Sequence, residues 1–172
     1  DDTGTYDVGT MYAGILGGYY DSLATWEGLD TDGNIPGLGA TLEMEESSST
    51  SDYYYTRAAG SIENEDDLLD SWEIDEDDTG GNLAGDYLNV MLHAESYGSQ
   101  LDAAITIYDD EMNVLETVSS NDWDSGADPV IVDLELPNTD KVYIVVEPES
   151  LGPDELANNY YFFASVYSDP SL

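Results

Sequence analysis

Several turns of this sequence carry clustered oxygen-bearing side chains, and the chemistry that such clusters support is the binding of hard cations. Calcium takes about six to eight oxygen ligands, so acids at alternate positions of a turn are the pattern that indicates a site. Asp30, Asp32 and Asn34 form this pattern. The EF-hand register fails at Gly28 and Gly39, where an Asp and a bidentate Glu are required. The segment is therefore either a calcium loop or a plain Asp-Gly turn.

A second turn gathers Asp122, Asp124 and Asp128, and Asn121 adds an amide oxygen. We predict that this turn joins two strands. These oxygen ligands suit Ca²⁺. A solvated acidic loop is the alternative interpretation.

A third cluster contains Asp66, Asp67 and Asp70. Carboxylates this close together repel one another unless a cation lies between them or some of them are protonated. The cluster is therefore a further candidate for Ca²⁺. In a chain with so many acids, the alternative is an ordinary hydrated surface.

His93 is the sole histidine, and the chain has no cysteine. A catalytic triad or a zinc site would have to rely on that single imidazole. His93 lies in a strand pattern between Leu92 and Ala94, which favours a hydrogen-bonded or surface histidine. Two carboxylates suffice for glycoside hydrolysis, but the sequence identifies no acid pair for it. We therefore predict that the chain is not an enzyme.

The charge balance sets the conditions under which this chain can fold. It has 39 Asp and Glu against two basic residues, Arg57 and Lys141, for a formal net charge of -37. Such self-repulsion opposes the compact state unless cations screen or bind the carboxylates. The protein is therefore halophilic, or holds several divalent ions, or both. Nucleic acid and anionic membranes are excluded as partners because the sequence has no basic patch. No run approaches the roughly 20 apolar residues that membrane insertion requires.

Runs of β-branched and aromatic residues alternate with turn residues, which is typical of short strands joined by turns. The 172 residues can hold one domain and an extension. We predict an all-β fold, an antiparallel, jelly-roll-like β-sandwich of about eight strands over residues 51–172. A Gly-rich N-terminal extension, residues 1–50, precedes it. The predicted strands are Tyr53–Ile62, Leu68–Ile74, Tyr87–Ala94, Ala103–Tyr108, Val114–Ser119, Val130–Leu136, Val142–Glu147 and Tyr160–Tyr167.

Two of these strands also have predicted faces. The even-numbered residues of Val130–Leu136 are apolar, so we predict that they face the core while Ile131, Asp133 and Glu135 lie on the other face. The nearly continuous apolar run from Lys141 predicts a central strand that is covered on both faces.

The N-terminal extension contains one strand-like segment, Thr5–Tyr12, and ends in the polar tract Ser47–Ser51, which we interpret as a connecting loop. Thr5–Tyr12 is either the first strand of its own sheet or a strand that pairs with the sheet edge of a neighbouring subunit. The second alternative would link copies of the chain.

From residue 55 to residue 168 the order of motifs resembles a known family. The quoted motifs are Gly60-Ser61-Ile62, Asp66–Trp72, Ala84–Val90, Leu101–Asp109, Asn121-Asp122, Leu136-Pro137, Val142–Val146 and Tyr160–Val166. This order is similar to the bacterial pre-peptidase C-terminal domain, a β-sandwich related to the collagen-binding domains of clostridial collagenases.

The resemblance implies a calcium site to which Glu43 and Glu45 contribute, next to the third acidic cluster. Two positions depart from the family pattern. The Asn that follows the family's Glu-rich stretch is missing after Glu46, and Leu68 stands where an Asp is expected. Family members are usually non-catalytic appendages of secreted enzymes, which implies a module that binds an extracellular protein or polysaccharide.

Two functions follow as hypotheses. The first is a secreted, calcium-binding structural subunit that assembles with itself into a filament, sheath or surface layer. It rests on the N-terminal extension, the 14 tyrosines and the missing catalytic set. Tyrosines on both sheet faces could seal a joint between copies. The alternative is a substrate- or matrix-binding accessory domain of a secreted hydrolase. Because the chain opens at Asp1 without Met, we interpret it as a mature exported product or an excised fragment.

Overall fold

The structure is a computed structural model that describes residues 24–26, 40–62, 69–95, 99–119, 128–150 and 158–169. For residues 24–26 and 40 it describes the backbone alone. Two sheets pack face to face. Sheet A has the strand order β1 (Ala24–Trp26), β4 (Tyr53–Ser61), β11 (Asn159–Tyr167), β6 (Tyr87–His93), β9 (Val130–Glu135), with β3 (Glu45–Glu46) also on β4. Sheet B has the order β2 (Ala40–Thr41), β5 (Asp70–Asp75), β10 (Lys141–Ser150), β7 (Asp102–Asp109), β8 (Val114–Ser119).

The antiparallel β-sandwich predicted from the sequence is confirmed. Each of the eight strands from β4 to β11 overlaps one predicted strand, and Val114–Ser119 agrees at both ends. The connecting loop predicted at Ser47–Ser51 joins β3 to β4. Among the strand pairs of the described residues, only β1–β4 and β2–β5 are parallel.

The core lies between the two sheets and consists of alternate residues from their facing sides. Trp72 is buried, and its ring meets that of Phe162 edge-on at 5.5 Å between centroids. Burial of a large apolar side chain contributes roughly 1.5–3 kcal/mol. Trp72 Nε1 donates a hydrogen bond of 3.0 Å to the Tyr160 hydroxyl, so the indole N–H stays paired inside the core.

Strand β10 is central in sheet B, as its apolar run predicted, with β5 on one side and β7 on the other. Residues on both of its faces are buried, including Tyr143 and Val145 on the face away from the core. This strand therefore holds the middle of sheet B in place.

The predicted face assignment of β9 is wrong at its centre. Ile131 is buried in the core, whereas Val132 is 63% exposed. The cause is a β-bulge: the register shifts so that Val132 and Asp133 together oppose Asn89 of β6. Asp133 has a φ of 56°, and its N–H donates a 2.8 Å hydrogen bond to Asn89 Oδ1. The bulge puts the Asp133 carboxylate on the outer side of sheet A.

The turn between β7 and β8 is held by one aspartate. Asp109 Oδ1 accepts hydrogen bonds from the backbone N–H groups of Glu111 (3.0 Å) and Asn113 (2.8 Å), and Oδ2 accepts one from Asn113 Nδ2 (2.9 Å). Although burial alone raises the pKa of Asp109, the hydrogen bonds from Asn113 and Glu111 lower it overall. Met112 closes this turn with a φ of 65°.

The extension over residues 1–50 adds three short strands to the sandwich, because β1 and β3 pair with β4 while β2 pairs with β5. The predicted strand Thr5–Tyr12 lies outside the described residues.

Candidate functional site

The outer side of sheet A carries an array of aromatic side chains that we call the aromatic face. Strands β4, β11 and β6 each supply four alternate residues to it, and residues between them, such as Ala58, Phe162 and Val90, point into the core. None of these residues is acidic. The members are Tyr53, Tyr55, Arg57 and Ala59 from β4, Tyr161, Phe163, Ser165 and Tyr167 from β11, and Tyr87, Asn89, Met91 and His93 from β6.

Register aligns three tyrosines in one row across the sheet. Tyr167 on the central strand pairs with Tyr53 on one side and Tyr87 on the other. Its ring stacks on both, with centroid separations of 5.9 Å and 6.0 Å. Such contacts add about 0.5–1.5 kcal/mol each beyond the burial of area. The rings therefore stand beside one another, and the faces of the central ring are occupied.

Further pairs continue the array along the strands. Tyr55 stacks on Phe163 at 6.3 Å, and the Arg57 guanidinium carbon lies 6.0 Å from the centroid of the Phe163 ring. This distance suits a cation–π interaction. At the far end the His93 ring stacks on Tyr161 at 4.8 Å. The cationic group of Arg57 thus lies among neutral aromatic side chains.

The β9 bulge supplies a polar border to the tyrosine row. The Tyr167 hydroxyl shares its single proton between two acceptors, Asp133 Oδ1 and, at 3.1 Å, Asn89 Oδ1. Burial, followed by the hydrogen bond to Asp133, raises the pKa of Tyr167 to about 12. The hydroxyl is therefore protonated throughout the physiological range, and Asp133 holds the row in register.

The outer side of sheet B has the opposite character. It carries Glu73, Asp75, Asp102 and Glu147 on the same side as Tyr143. Lys141 Nζ lies 2.8 Å from Glu73 Oε1 and 3.0 Å from Asp75 Oδ2. The strands β4, β11 and β6 of the aromatic face thus carry no acid on their outer side, and Glu45 and Asp133 lie at its borders on β3 and β9. Sheet B, in contrast, carries acids on the outer side of β5, β10 and β7.

Depletion of acids and enrichment in Tyr, Phe, Met and Arg are the features that mark the core of protein–protein interfaces. Tyr53, Tyr55, Tyr87 and Phe163 are partly exposed, and Met91 is 43% exposed. This arrangement can bury apolar area against another protein surface.

The structure separates the predicted calcium ligands that it describes. Asp70 is fully buried, faces the core of sheet B and accepts a 2.5 Å hydrogen bond from the Tyr160 hydroxyl. Asp70 Oδ2 also lies beside Gly60, where an added Cβ would meet it at 2.9 Å. Glu45 is exposed and lies next to Tyr55. Tyr55 comes five residues before Gly60 on β4, so these two positions are roughly 17 Å apart at about 3.3 Å per residue. Glu45 and Asp70 are therefore not adjacent ligands.

Two other predicted ligands have defined surroundings. Asp128 is buried, and its Oδ1 accepts hydrogen bonds from the N–H groups of Ala94 (2.9 Å) and Glu95 (2.8 Å), which ties the end of β6 to the start of β9. Glu43 is exposed and adds to the charge that raises the pKa of Asp78, after the larger effect of burial. The remaining candidates, Asp30, Asp32, Asn34, Asp66, Asp67, Asp122 and Asp124, lie outside the described residues.

His93 lies at the edge of the aromatic face and is half-buried. Burial lowers the pKa of its imidazole, and the Asp128 carboxylate partly offsets this effect. The ring is therefore neutral at neutral pH and packs as an aromatic side chain on Tyr161.

Within the described ranges, no group of three or more His, Cys, Asp or Glu side chains is arranged to hold a metal ion. In that same part of the chain, no helix is long and apolar enough to cross a membrane. Ca²⁺ binding stays a prediction.

Comparisons with known proteins do not show a family for this chain. No protein-family model matches the chain, and no curated protein matches it. The resemblance to the pre-peptidase C-terminal domain therefore stays a prediction. Among solved structures, the chain is similar to PliG of Salmonella Typhimurium, a periplasmic lysozyme inhibitor of g-type lysozyme, with 10% identity and a TM-score of 0.37 over 75% of this chain and 98% of that one. A mutant of the Escherichia coli inhibitor gives 10% identity and a TM-score of 0.35 over 76% and 98%. TM-scores this low carry no argument about function.

The sequence did contain a signal for the aromatic face. Strands β4, β6 and β11 contain no Asp or Glu, whereas every other strand of six or more residues contains at least one. The sequence predicted tyrosines on both faces of a sheet. This is confirmed on β11, where Tyr160 lies in the core and Tyr161 lies on the outer side of sheet A. What the sequence did not contain was the adjacency of these three strands.

Proposed function

We propose that this chain is a secreted, non-catalytic β-sandwich that assembles with copies of itself into an extracellular structure, and that copies meet at the aromatic face. The observation that carries the proposal is the absence of acid from this face in a chain with a formal net charge of -37. A surface left in water gains solubility from carboxylates, whereas a surface buried against another protein loses stability from them.

Cations are a necessary part of the proposal. Two copies of so acidic a chain repel each other at long range, and the repulsion extends over about 10 Å at 0.1 M salt but only about 3 Å at 1 M. Calcium bound by acidic turns would reduce the charge as well as screen it. Assembly is therefore expected to require either calcium or high salt.

The alternative, an accessory domain that binds an extracellular polymer, has less support in the geometry. Sugars stack on the open faces of aromatic rings, but the rings of the tyrosine row face one another. Retention of the protein on insoluble collagen, chitin or cellulose would favour this alternative over self-assembly.

The test compares two methionine variants. Met91 is 43% exposed on the aromatic face and Met112 is 40% exposed on the β7–β8 turn, so Met91→Glu and Met112→Glu add the same charge at similar exposure. Light scattering and electron microscopy would follow assembly in calcium, in chelator and in high salt. We expect Met91→Glu to abolish or strongly weaken assembly and Met112→Glu to assemble like the unmodified chain.

Two results would contradict the proposal. One is an unmodified chain that stays monomeric in calcium and in high salt. The other is equal assembly of both variants, which would place the joint elsewhere than the aromatic face. Circular dichroism of both variants confirms that the sandwich is folded.

A further inference from the structure

The outward edge of β4, which borders the aromatic face, is occupied by two short segments from the N-terminal extension. Strand β3 pairs with it in antiparallel fashion, Glu45 opposite Tyr55 and Glu46 opposite Tyr54. Strand β1 pairs with it in parallel, from Ala24 opposite Arg57 to Trp26 opposite Ala59. A three-residue parallel pairing supplies few hydrogen bonds, so β1 is held weakly compared with β11 on the other side of β4.

The register limits how far β1 can pair along this edge of β4. Two more residues of the same pairing would reach Tyr55, which already pairs with Glu45. The inner side of the edge borders the packed core, whereas the outer side borders the aromatic face, which is partly exposed. The aromatic face is therefore the open surface beside β1.

The segment that precedes β1 in the sequence has the composition that suits this open surface. Val8–Tyr20 contains no charged residue over 13 positions and includes apolar and aromatic side chains such as Ile15, Leu16, Tyr19 and Tyr20. This segment therefore matches the aromatic face, whose residues include no acid and which lies beside β1. The match is one of charge and hydrophobicity, both of which favour burial of the two surfaces against each other.

The connection that follows β1 is long enough for β1 to pair with β4 of its own chain or with β4 of another copy. β1 ends at Trp26 and β2 begins at Ala40, so residues 27–39 join them. Extended at about 3.3 Å per residue, this connection spans up to about 40 Å. The β1 segment can thus reach β4 of its own chain or β4 of an adjacent copy with the same contacts. In dilute solution the pairing of β1 with β4 of its own chain is favoured, because the effective concentration within one chain is high. When copies are crowded, pairing of β1 with β4 of another copy is favoured.

We infer that copies are joined by exchange of this N-terminal arm, residues 1–26. In the joined state β1 of one copy pairs with β4 of the next, and Val8–Tyr20 of the first copy covers the aromatic face of the second. The occupant of the face is thus the arm of a second copy. This inference rests on the proposed function and adds the segment that forms the joint.

A disulfide that locks the arm onto its own chain tests the inference. The chain has no cysteine, so an introduced pair has no competitors. Ala24→Cys/Arg57→Cys and Trp26→Cys/Ala59→Cys each join residues that are partners in the β1–β4 register. Cα atoms of adjacent strands lie within the range that a disulfide spans. Each variant would be oxidised as a dilute monomer, and the intrachain bond would be verified by non-reducing electrophoresis and mass spectrometry.

Assembly of the oxidised and the reduced form of the same variant is then compared by light scattering in calcium and in high salt. We expect the oxidised form to remain monomeric and the reduced form to assemble. Oxidation after assembly should instead give interchain disulfides. Thr106→Cys/Thr117→Cys is the matched control, because it joins β7 to β8 in sheet B and leaves the arm unrestrained.

The outcomes separate the two proposals. If the locked monomer assembles as well as its reduced form, exchange of the arm is overturned while assembly through the aromatic face stands. Intrachain disulfides alone after assembly would overturn it too. If the unmodified chain never assembles, the proposed function itself fails. The second cysteine pair keeps the test valid should loss of Arg57 by itself weaken assembly.

Discussion

At the scale of single residues, Tyr167 shows how a surface side chain becomes part of the structure. It is 4% exposed although it lies on the outer side of sheet A, because Tyr53 and Tyr87 cover its ring and Asp133 and Asn89 take its hydroxyl. A buried phenol is tolerated when its O–H has a partner. The row therefore depends on the carboxylate that the β9 bulge delivers.

The pKa of Tyr167 predicts an alkaline loss of stability. Its pKa is about 12 in the folded chain against 10.0 for an unperturbed tyrosine. Between these values the unfolded state has lost the proton and the folded state has kept it, so the free energy of unfolding falls as pH rises from about 10 to about 12. At roughly 1.4 kcal/mol per pKa unit, the total loss over these two units is about 3 kcal/mol. Urea unfolding at a series of pH values measures it.

Two phenylalanine variants isolate this effect from other tyrosines whose pKa values are also raised. Tyr167→Phe removes the titrating hydroxyl, so its stability should decline less between pH about 10 and about 12 than that of the unmodified chain. Tyr87→Phe keeps the Tyr167 hydroxyl and its partners, and the full decline should remain. Equal declines in all three proteins would show that the Tyr167 proton is not linked to folding.

At the scale of residues, the sequence reveals which side chains are present but not which of them are in contact in the fold. The tyrosine surplus was evident, and so was the strand around His93. That Tyr167 lies between Tyr53 and Tyr87 depends on strands that are far apart in sequence, and pairing over such separations is set by the packing of the whole sandwich rather than by local propensity.

At the scale of elements, the strands were predictable because their pattern is local. Alternation of apolar residues and Gly, Asn, Asp or Pro at turns define β4 to β11 without reference to tertiary contacts. The bulge in β9 was not predictable in the same way. The run Val130–Leu136 alternates well enough to suggest a regular strand, but Asn89 of another strand captures the Asp133 N–H and shifts the alternation by one position.

The β7–β8 turn contains a residue whose backbone conformation its side chain does not favour. Met112 has a φ of 65°, and the Met112 N–H donates to the Asp109 carbonyl at 3.1 Å. Hairpin turns of this kind take glycine at the left-handed position, because a Cβ there is strained. We expect Met112→Gly to raise the free energy of unfolding by roughly 0.5–1 kcal/mol. Thermal and urea unfolding at neutral pH would measure the change.

Glu111→Gly is the control for this prediction, since Glu111 is in the same turn and does not have a positive φ. Glycine there only adds freedom to the unfolded chain, so a loss of stability is expected. Should both substitutions destabilise the protein alike, the strain assigned to Met112 would be absent.

At the scale of the whole molecule, the sandwich divides its surface by charge. The sequence predicts a heavily acidic exterior but cannot show that the three acid-free strands β4, β11 and β6 lie side by side in one sheet. The pairing partners, the parallel contacts of β1 and β2 and the separation of Asp70 from Glu45 all depend on topology. For this reason the sequence could not show that Glu45 and Asp70, which the family resemblance groups together, lie on the different strands β3 and β5.

Substitution of Lys141 tests whether repulsion between carboxylates destabilises this fold through close pairs or through the net charge of the whole molecule. Hydrogen bonds from Lys141 to Glu73 and Asp75 raise the pKa of the lysine and fix two acids that lie on one side of β5. Lys141→Met leaves these acids facing each other without a cation. We expect a loss of about 1–2 kcal/mol at 0.1 M salt, a value that allows for partial exposure of the pair. The loss should shrink by more than half at 1 M salt, where screening acts within about 3 Å.

The control separates the ion pair from the net charge. Gln100 is exposed, and Gln100→Glu makes the formal charge one unit more negative, as Lys141→Met does, without removing a cation. If repulsion is spread over the whole molecule, both variants lose the same stability at low salt. If it is local, Gln100→Glu stays within about 0.5 kcal/mol of the unmodified chain. We expect the local result, because one charge added to -37 changes the total little, whereas two carboxylates sharing a single lysine lose their only direct counterion.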